Sequence, residues 1–266
     1  MTAPSLLDRV LGPDGINILF QPIYEVQDRT CRLHAVEALA RGPRGTNLEP
    51  AAVLFEYARR KHEGALVDRT CVTRALHAAA ELPDLPRICL NVNAPTLDRD
   101  RGFVQHLAET AAESGISPGR LVVEIVEHAP FWDGPTFARS LVELRALGVR
   151  IALDDVGLGH SNYRMILECR PDYLKIDAYL VRHCARDYYR RCVLRSITDL
   201  AASFCARAVA EGLESVADLD MALALGLDLM QGYLLCAPLP AELLASSAPL
   251  TRLTLPPDRT SAIAAA

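Results

Sequence analysis

The chain has 266 residues, 50% of them hydrophobic, enough to bury a substantial core as one large domain or two small ones. Its 28 Lys and Arg stand against 33 Asp and Glu, a formal net charge of −5, so no overall basic surface advertises duplex DNA or RNA. The eight cysteines contain no Cys-X-X-Cys pair and nowhere do about eighteen apolar residues run unbroken, so a reduced, zinc-free, cytoplasmic protein without a membrane segment is the expectation.

Residues 1–15 read as a short amphipathic lead-in closed by Gly12, Pro13 and Gly15. Residues 16–26 have strand character, Gln27 to Arg29 turn, and residues 31–40 return, which predicts an antiparallel hairpin. Glu37 and Arg41 lie near the end of the returning strand. Residues 50–80 carry helical periodicity broken near Gly64, and Pro83 and Pro86 stop it. Residues 87–92 are strand-like and lead into Asn93, with a helix through residues 107–114. Residues 121–126 form the next strand, apolar except for Glu124, and a helix over 135–147 ends at Gly148.

The stretch that organises the rest is residues 150–161, an apolar run that ends in Asp154, Asp155 and a Gly-Leu-Gly turn. Neighbours on a strand face opposite ways, so both acids reach one site only if the strand ends and twists there. Adjacent carboxylates repel unless a cation holds them, although an isolated Asp-Asp-X-Gly serves equally as a plain turn or cap. Residues 173–177 are strand-like and hold Lys175 and Asp177; a long helix covers 187–205; residues 206–210 run into Glu211, with Glu214 beyond. A helix over 216–225 and the pair Leu229-Met230 leading into Gln231 complete the pattern. Residues 246–266 read as a flexible tail.

Strand ends near 41, 92, 126, 155, 177, 211 and 231 alternate with helices and no linker interrupts them. The fold class expected is therefore α/β, a single-domain modified TIM-type (β/α)8 barrel over residues 16–245, with one antiparallel strand because of the opening hairpin. Each strand end then delivers a polar group to one rim: Glu37, Asn91, Glu124, Asp154 and Asp155, Lys175 and Asp177, Glu211 and Glu214, and Gln231. Singly, such acids cap helices or meet solvent, and a lysine forms a surface ion pair. Together they crowd negative charge that cations must offset, and an oxygen-rich set without His or Cys suits Mg²⁺ or Mn²⁺. Two such ions are the usual device for attack on a phosphodiester, where a nearby lysine stabilises developing charge.

In order, Gln21-Pro-Ile, Glu37-Ala-Leu-Ala-Arg41, Asn91, Glu124-Ile-Val-Glu127, Asp154-Asp155-Val-Gly157, Lys175-Ile-Asp177, Ala210-Glu211-Gly-Leu-Glu214 and Gln231-Gly-Tyr233 resemble the motifs of EAL-domain cyclic di-GMP phosphodiesterases, over roughly residues 16–240. The resemblance implies hydrolysis of cyclic di-GMP to linear 5'-pGpG, with two Mg²⁺ or Mn²⁺ ions per site. It implies metal ligation by Glu37, Asn91, Glu124, Asp154 and Asp155, with Glu211 as general base assisted by Lys175. Glu214 and Gln231 would support the water and metal shell, Arg41 would contact phosphate, and Gln21 and Asp177 would lie near the nucleotide. Glu127 would anchor the loop after Asp155, which in the family also joins a dimer contact, so a homodimer and a regulatory partner protein are implied too.

Val156, Leu158, His160, Asn93 and Ala40 depart from the family's usual residues, and none of them is an implied ligand. Two other readings stay open: a catalytically weak EAL receptor that binds cyclic di-GMP and signals through a partner, and an unrelated metal-dependent barrel enzyme acting on a carbonyl compound. His160 reads as a solvated loop residue, and the arginines of residues 182–195 as a solvated helix face.

Overall fold

The hairpin at the start of the chain closes the sheet. The computed structural model describes residues 6–13, 15–27, 29–82, 86–126, 134–157, 163–246 and 252–254, the last by backbone alone. A short helix α1 (Leu6–Leu11) leads into β1 (Asn17–Gln27) and β2 (Thr30–Arg41), which pair antiparallel along their length with a bulge at Ile23/Tyr24. Then come α2 (Ala51–Arg60), α3 (Gly64–Ala80), β3 (Ile88–Asn93), α4 (Ala94–Arg99), α5 (Phe103–Glu113), β4 (Leu121–Val126), α6 (Pro135–Ala146) and β5 (Arg150–Val156). The second half runs α7 (Tyr163–Cys169), β6 (Tyr173–Ile176), α8 (Ala178–Val181), α9 (Tyr188–Ser203), β7 (Arg207–Ala210), α10 (Val216–Ala224), β8 (Leu229–Met230), α11 (Ala241–Ser246) and β9 (Arg252–Thr254).

Strands β2 to β8 pair in parallel in chain order, and β1 joins β8 to β2 antiparallel on both sides. The result is a closed eight-strand barrel with one reversed strand, as the opening hairpin predicts. Within the stretch expected to fray, β9 adds to the lower half of β2 through Thr30, Cys31 and Arg32. Helices α4, α7, α8 and α11 are too short for their periodicity to stand out in the sequence.

Side chains alternate along every strand, so the barrel wall has two chemistries. Outward residues such as Ile88, Leu121, Ile151, Leu174 and Ala208 pack against helix residues such as Leu76, Leu107, Leu144, Leu194 and Leu219 in the main core. Inward residues form stacked layers. One layer takes a residue from each strand, Ile23, Ala35, Cys89, Val122, Ala152, Tyr173, Val209 and Leu229, and is a separate apolar cluster. Two residues nearer the strand C-termini, or two back on the reversed β1, the same alternation sets Gln21, Glu37, Asn91, Glu124, Asp154, Lys175, Glu211 and Gln231. A polar layer thus rests on an apolar floor. A third cluster, in which Val10 and Ile16 meet Leu48, Leu54 and Val67, packs the lead-in helix against α2 and α3. Among the described residues no helix is long and apolar enough to cross a membrane.

Candidate active site

Lys175 is the centre of the polar layer. Its Nζ lies 2.7 Å from Glu124 Oε2, 2.7 Å from Glu211 Oε1, 3.0 Å from Glu37 Oε2 and 3.3 Å from Asp154 Oδ1. Lys175, Glu37 and Glu124 are all buried. Burial alone would strip the lysine of its proton, but the surrounding Asp154, Glu124, Glu211 and Glu37 hold its pKa well above the ordinary value. Glu37 is the best-held acid: Asn91 Nδ2 donates to its Oε1 at 2.8 Å and Gln231 Nε2 to its Oε2 at 2.7 Å. Against the upward push of burial, Lys175 and these two amides bring its pKa below the usual value. Gln231 Nε2 also reaches Gln21 Oε1 at 3.2 Å, and Gln21 Nε2 donates to the Cys236 carbonyl at 3.0 Å.

The other carboxylates move the opposite way. Burial pushes Glu124 up to about 8, with Glu37 and Asp154 adding to the push against Lys175. Glu211 is raised well above a normal glutamate by burial, Lys175 opposing and Asp154 and Glu37 reinforcing. Asp155 is raised to about 6 by burial and by its neighbours Asp154 and Asp177.

The twist that two adjacent acids require is present. Asp155 has φ of 52°, and the β5–β6 register slips between Leu153 and Val156. Gly157 follows at φ of 105°, a backbone conformation that residues bearing a Cβ rarely adopt, so glycine is favoured there. As a result Asp154, Asp155 and Glu211 each offer a carboxylate oxygen within 4.8 Å of the others. Among the described residues this puts Glu211 within reach of an ion shared with Asp154 and Asp155.

Does this donor set fit a hard divalent ion? Glu37, Glu124, Asp154 and Glu211 surround a single ammonium, and a fifth acid, Asp155, lies beside Asp154 and Glu211. The side-chain oxygen Oε1 of Gln231 is buried without a hydrogen-bond partner. Surplus carboxylates converging with an orphaned oxygen suit Mg²⁺ or Mn²⁺ and leave nothing for a sulfur- or imidazole-seeking metal.

Two lobes open from this centre, and both include Glu37, Leu39 and Asp154 in their walls. One, about 280 Å³, is largely apolar, with Ile18, Phe55 and Ala75 beside Arg41, Asn91 and Asn93. The other, about 270 Å³, is polar and carries Gln21, Lys175, Arg182, Glu211, Glu214 and Tyr233. Arg41 Nη1 donates to the Ala40 carbonyl at 2.8 Å on the first lobe's wall. Glu214 stays at the rim of the second, paired with Arg182 at 2.7 Å. Asp177 accepts from Tyr179 N at 2.5 Å and caps α8. Glu127, Leu158 and His160 lie outside the described residues.

One supporting residue escaped sequence reasoning. Asp68, fully buried on α3, accepts from Asn93 N at 3.0 Å, Asn93 Nδ2 at 2.8 Å and Thr96 Oγ1 at 2.6 Å, which pins the corner just beyond Asn91. Its signal is an acid on a helix face otherwise made of Val67, Cys71, Val72 and Ala75.

Comparison with known proteins now bears on this geometry. The EAL domain family matches residues 7–238. The probable cyclic di-GMP phosphodiesterase PdeA of Escherichia coli is 30% identical over 155 residues, 58% of this chain and 21% of its own. A standalone versatile EAL protein of Vibrio cholerae, in a c-di-GMP bound form, aligns with a TM-score of 0.74 at 25% identity, over 85% of this chain and 93% of its own. BlrP1 of Klebsiella pneumoniae, in a manganese and cyclic di-GMP complex, shares the fold with a TM-score of 0.76 at 24% identity, over 89% of this chain and 58% of its own. The chain spans well under half the length of the curated relatives it matches. By the family match over nearly its whole length, this chain belongs to the EAL domain family.

Proposed function

We propose that the chain is a metal-dependent phosphodiesterase that opens cyclic di-GMP to linear 5'-pGpG. The observation that carries the reading is the polar layer: four carboxylates around one buried lysine, with Asp155 beside two of them, between two lobes that share Glu37 and Asp154. A two-base cyclic dinucleotide needs such a divided cleft with the reacting phosphate at its waist.

Glu37, Asn91, Glu124, Asp154 and Asp155 would hold two Mg²⁺ or Mn²⁺ ions, which when bound supply charge to the phosphoryl oxygens and acidify water. Glu211 takes the proton of the attacking water. Its raised pKa, caused first by burial, brings its proton affinity toward the range a general base needs. Lys175 stays charged among the acids, fixes Glu211 and Glu124 by 2.7 Å contacts, and offsets charge as the phosphorus gains an oxygen. The water oxygen bonds to phosphorus, the bond to the 3' oxygen breaks, and that oxygen takes up a proton. Arg41, on the wall of the apolar lobe, would contact a phosphate, Gln21 in the polar lobe and Asp177 would meet the nucleotide, and Gln231 holds Glu37 by its amide.

Support comes from the named activity of PdeA and from the bound nucleotides of the Vibrio and Klebsiella structures. A homodimer and a regulatory partner belong to the same proposal, and sedentation of the purified chain by analytical ultracentrifugation tests the first. The activity test is conversion of cyclic di-GMP to pGpG with Mn²⁺, Mg²⁺ or chelator. Tight nucleotide binding without product would instead make the protein a receptor.

A further inference from the structure

Below the apolar floor, four of the eight strands bring a basic residue to the next position of the alternation, at or just before the strand's start. Two residues before Cys89, Val122, Ala152 and Val209 stand Arg87, Arg120, Arg150 and Arg207, and two after Ile23 on the reversed strand stands Glu25. The bulge in the hairpin leaves His34 as the extra residue of β2, and its Nε2 lies 3.1 Å from Tyr173 Oη of the floor.

The charges at this end do not balance. Arg207 is paired, with Glu25 at 2.7 Å and with Asp228, and Glu25 also takes Arg32. Asp172 accepts from Ile151 N at 2.8 Å. Arg87 and Arg150 have no acidic partner among the described residues, and Arg87 Nε is buried without any hydrogen-bond partner. The excess is felt locally: burial, then Arg207 and Arg87, hold the His34 pKa down at about 4 against the weaker pull of Glu25 and Asp228. An unpartnered, partly buried guanidinium is costly unless an anion meets it, and its planar fork matches phosphate oxygens.

We propose that the base of the barrel is a phosphoanion-binding site, in which Arg87 and Arg150, backed by Arg207 and the His34–Tyr173 pair, take a multiply charged phosphate group. The group comes either free, as pyrophosphate, or on a nucleotide. Four residues of strand, about 13 Å, separate this mouth from the carboxylate layer, whose own charge repels anions when metal is absent. The inference does not depend on the phosphodiesterase reading.

The test is calorimetry of the purified chain in chelator with pyrophosphate and with GTP, beside Arg87→Gln/Arg150→Gln, whose folding is checked by circular dichroism. One saturable site for pyrophosphate is expected, weakened about tenfold or more in the double variant. GTP that binds more tightly than pyrophosphate assigns the site to nucleotides, and equal affinity assigns it to the phosphates alone; both support the proposal. If the double variant does not fold, Arg150→Gln alone is measured, with a several-fold loss expected. No saturable binding by the unaltered protein, or equal binding in a folded variant, would overturn it.

Discussion

Lys175 on β6 lies opposite Val209 of the adjacent parallel β7, and Glu211, two residues further up and just past the end of β7, closes a 2.7 Å bond to the lysine Nζ. The same Nζ holds Glu124 and Glu37 from the other side of the barrel, so a single cation ties together groups from β2, β4, β6 and the end of β7. Removing it should leave the carboxylates to repel each other.

Lys175→Met is therefore expected to destabilise the metal-free protein by about 3–5 kcal/mol, the usual result of stripping one partner from a buried ion cluster. Urea unfolding measures this. Saturating Mn²⁺ should return part of the loss, because an ion can take over the charge balance, while hydrolysis stays lower by a factor of about 10² or more. Unchanged unfolding midpoints in chelator would show that the lysine does not organise the layer.

Metal binding should release protons near neutral pH. Glu124, raised by burial to about 8, and Asp155, raised to about 6, must both be ionised to act as ligands. The folded-state pKa values lie above the ordinary ones, so the protons they retain favour the metal-free fold at low pH, and that benefit fades as pH rises through these values. Mn²⁺ affinity should climb from pH 6 to 8, and calorimetry in two buffers of different ionisation enthalpy should report proton release. A pH-independent affinity would count against Glu124 and Asp155 as ligands.

At the opposite end of the barrel the sign reverses. His34 has a folded pKa of about 4, below its ordinary 6.5, because burial and the basal arginines disfavour its charged form. Its neutral state is compatible with full stability above 6.5, and stability is lost as pH falls from there toward 4, by about 1–2 kcal/mol once solvent screening of the partly exposed ring is taken into account. His34→Gln should flatten stability over that window in urea titrations at fixed pH steps.

Asp68→Ala should cost about 2–4 kcal/mol, since it leaves buried donors of Asn93 and Thr96 unpaired. Because these bonds fix the turn after Asn91, Mn²⁺ affinity should fall as well. A loss of stability with unaltered metal affinity would confine Asp68 to a structural role.

The sequence made the polar layer legible where a strand is apolar apart from one inward residue, as with Glu124 in Leu-Val-Val-Glu-Ile-Val and Lys175 in Tyr-Leu-Lys-Ile. The reversed strand could be read from the three-residue turn at Gln27 to Arg29. What remained hidden depended on contacts distant in sequence. Asp68 lies 25 residues from Asn93, and nothing local says that a helix acid meets a strand end. His34 turns inward through a bulge, which shifts the period of two that sequence reading relies on. The arginines of the base stand singly, each just before or at the start of a strand, and gather only when the barrel closes. Glu214, three residues past Glu211 in the loop after β7, pairs with Arg182 at the rim, a contact nothing in the local sequence announces.

The most direct test of the account is cyclic di-GMP turnover by the purified chain and by Glu37→Ala, followed by separation of the products. Glu37 joins Asn91, Gln231 and Lys175 and belongs to both lobes. The account predicts pGpG formation with Mn²⁺ or Mg²⁺, none with chelator, and a fall of about 10² or more in the variant. Product formed equally by a folded Glu37→Ala protein, or none by the unaltered chain with either metal, would contradict it.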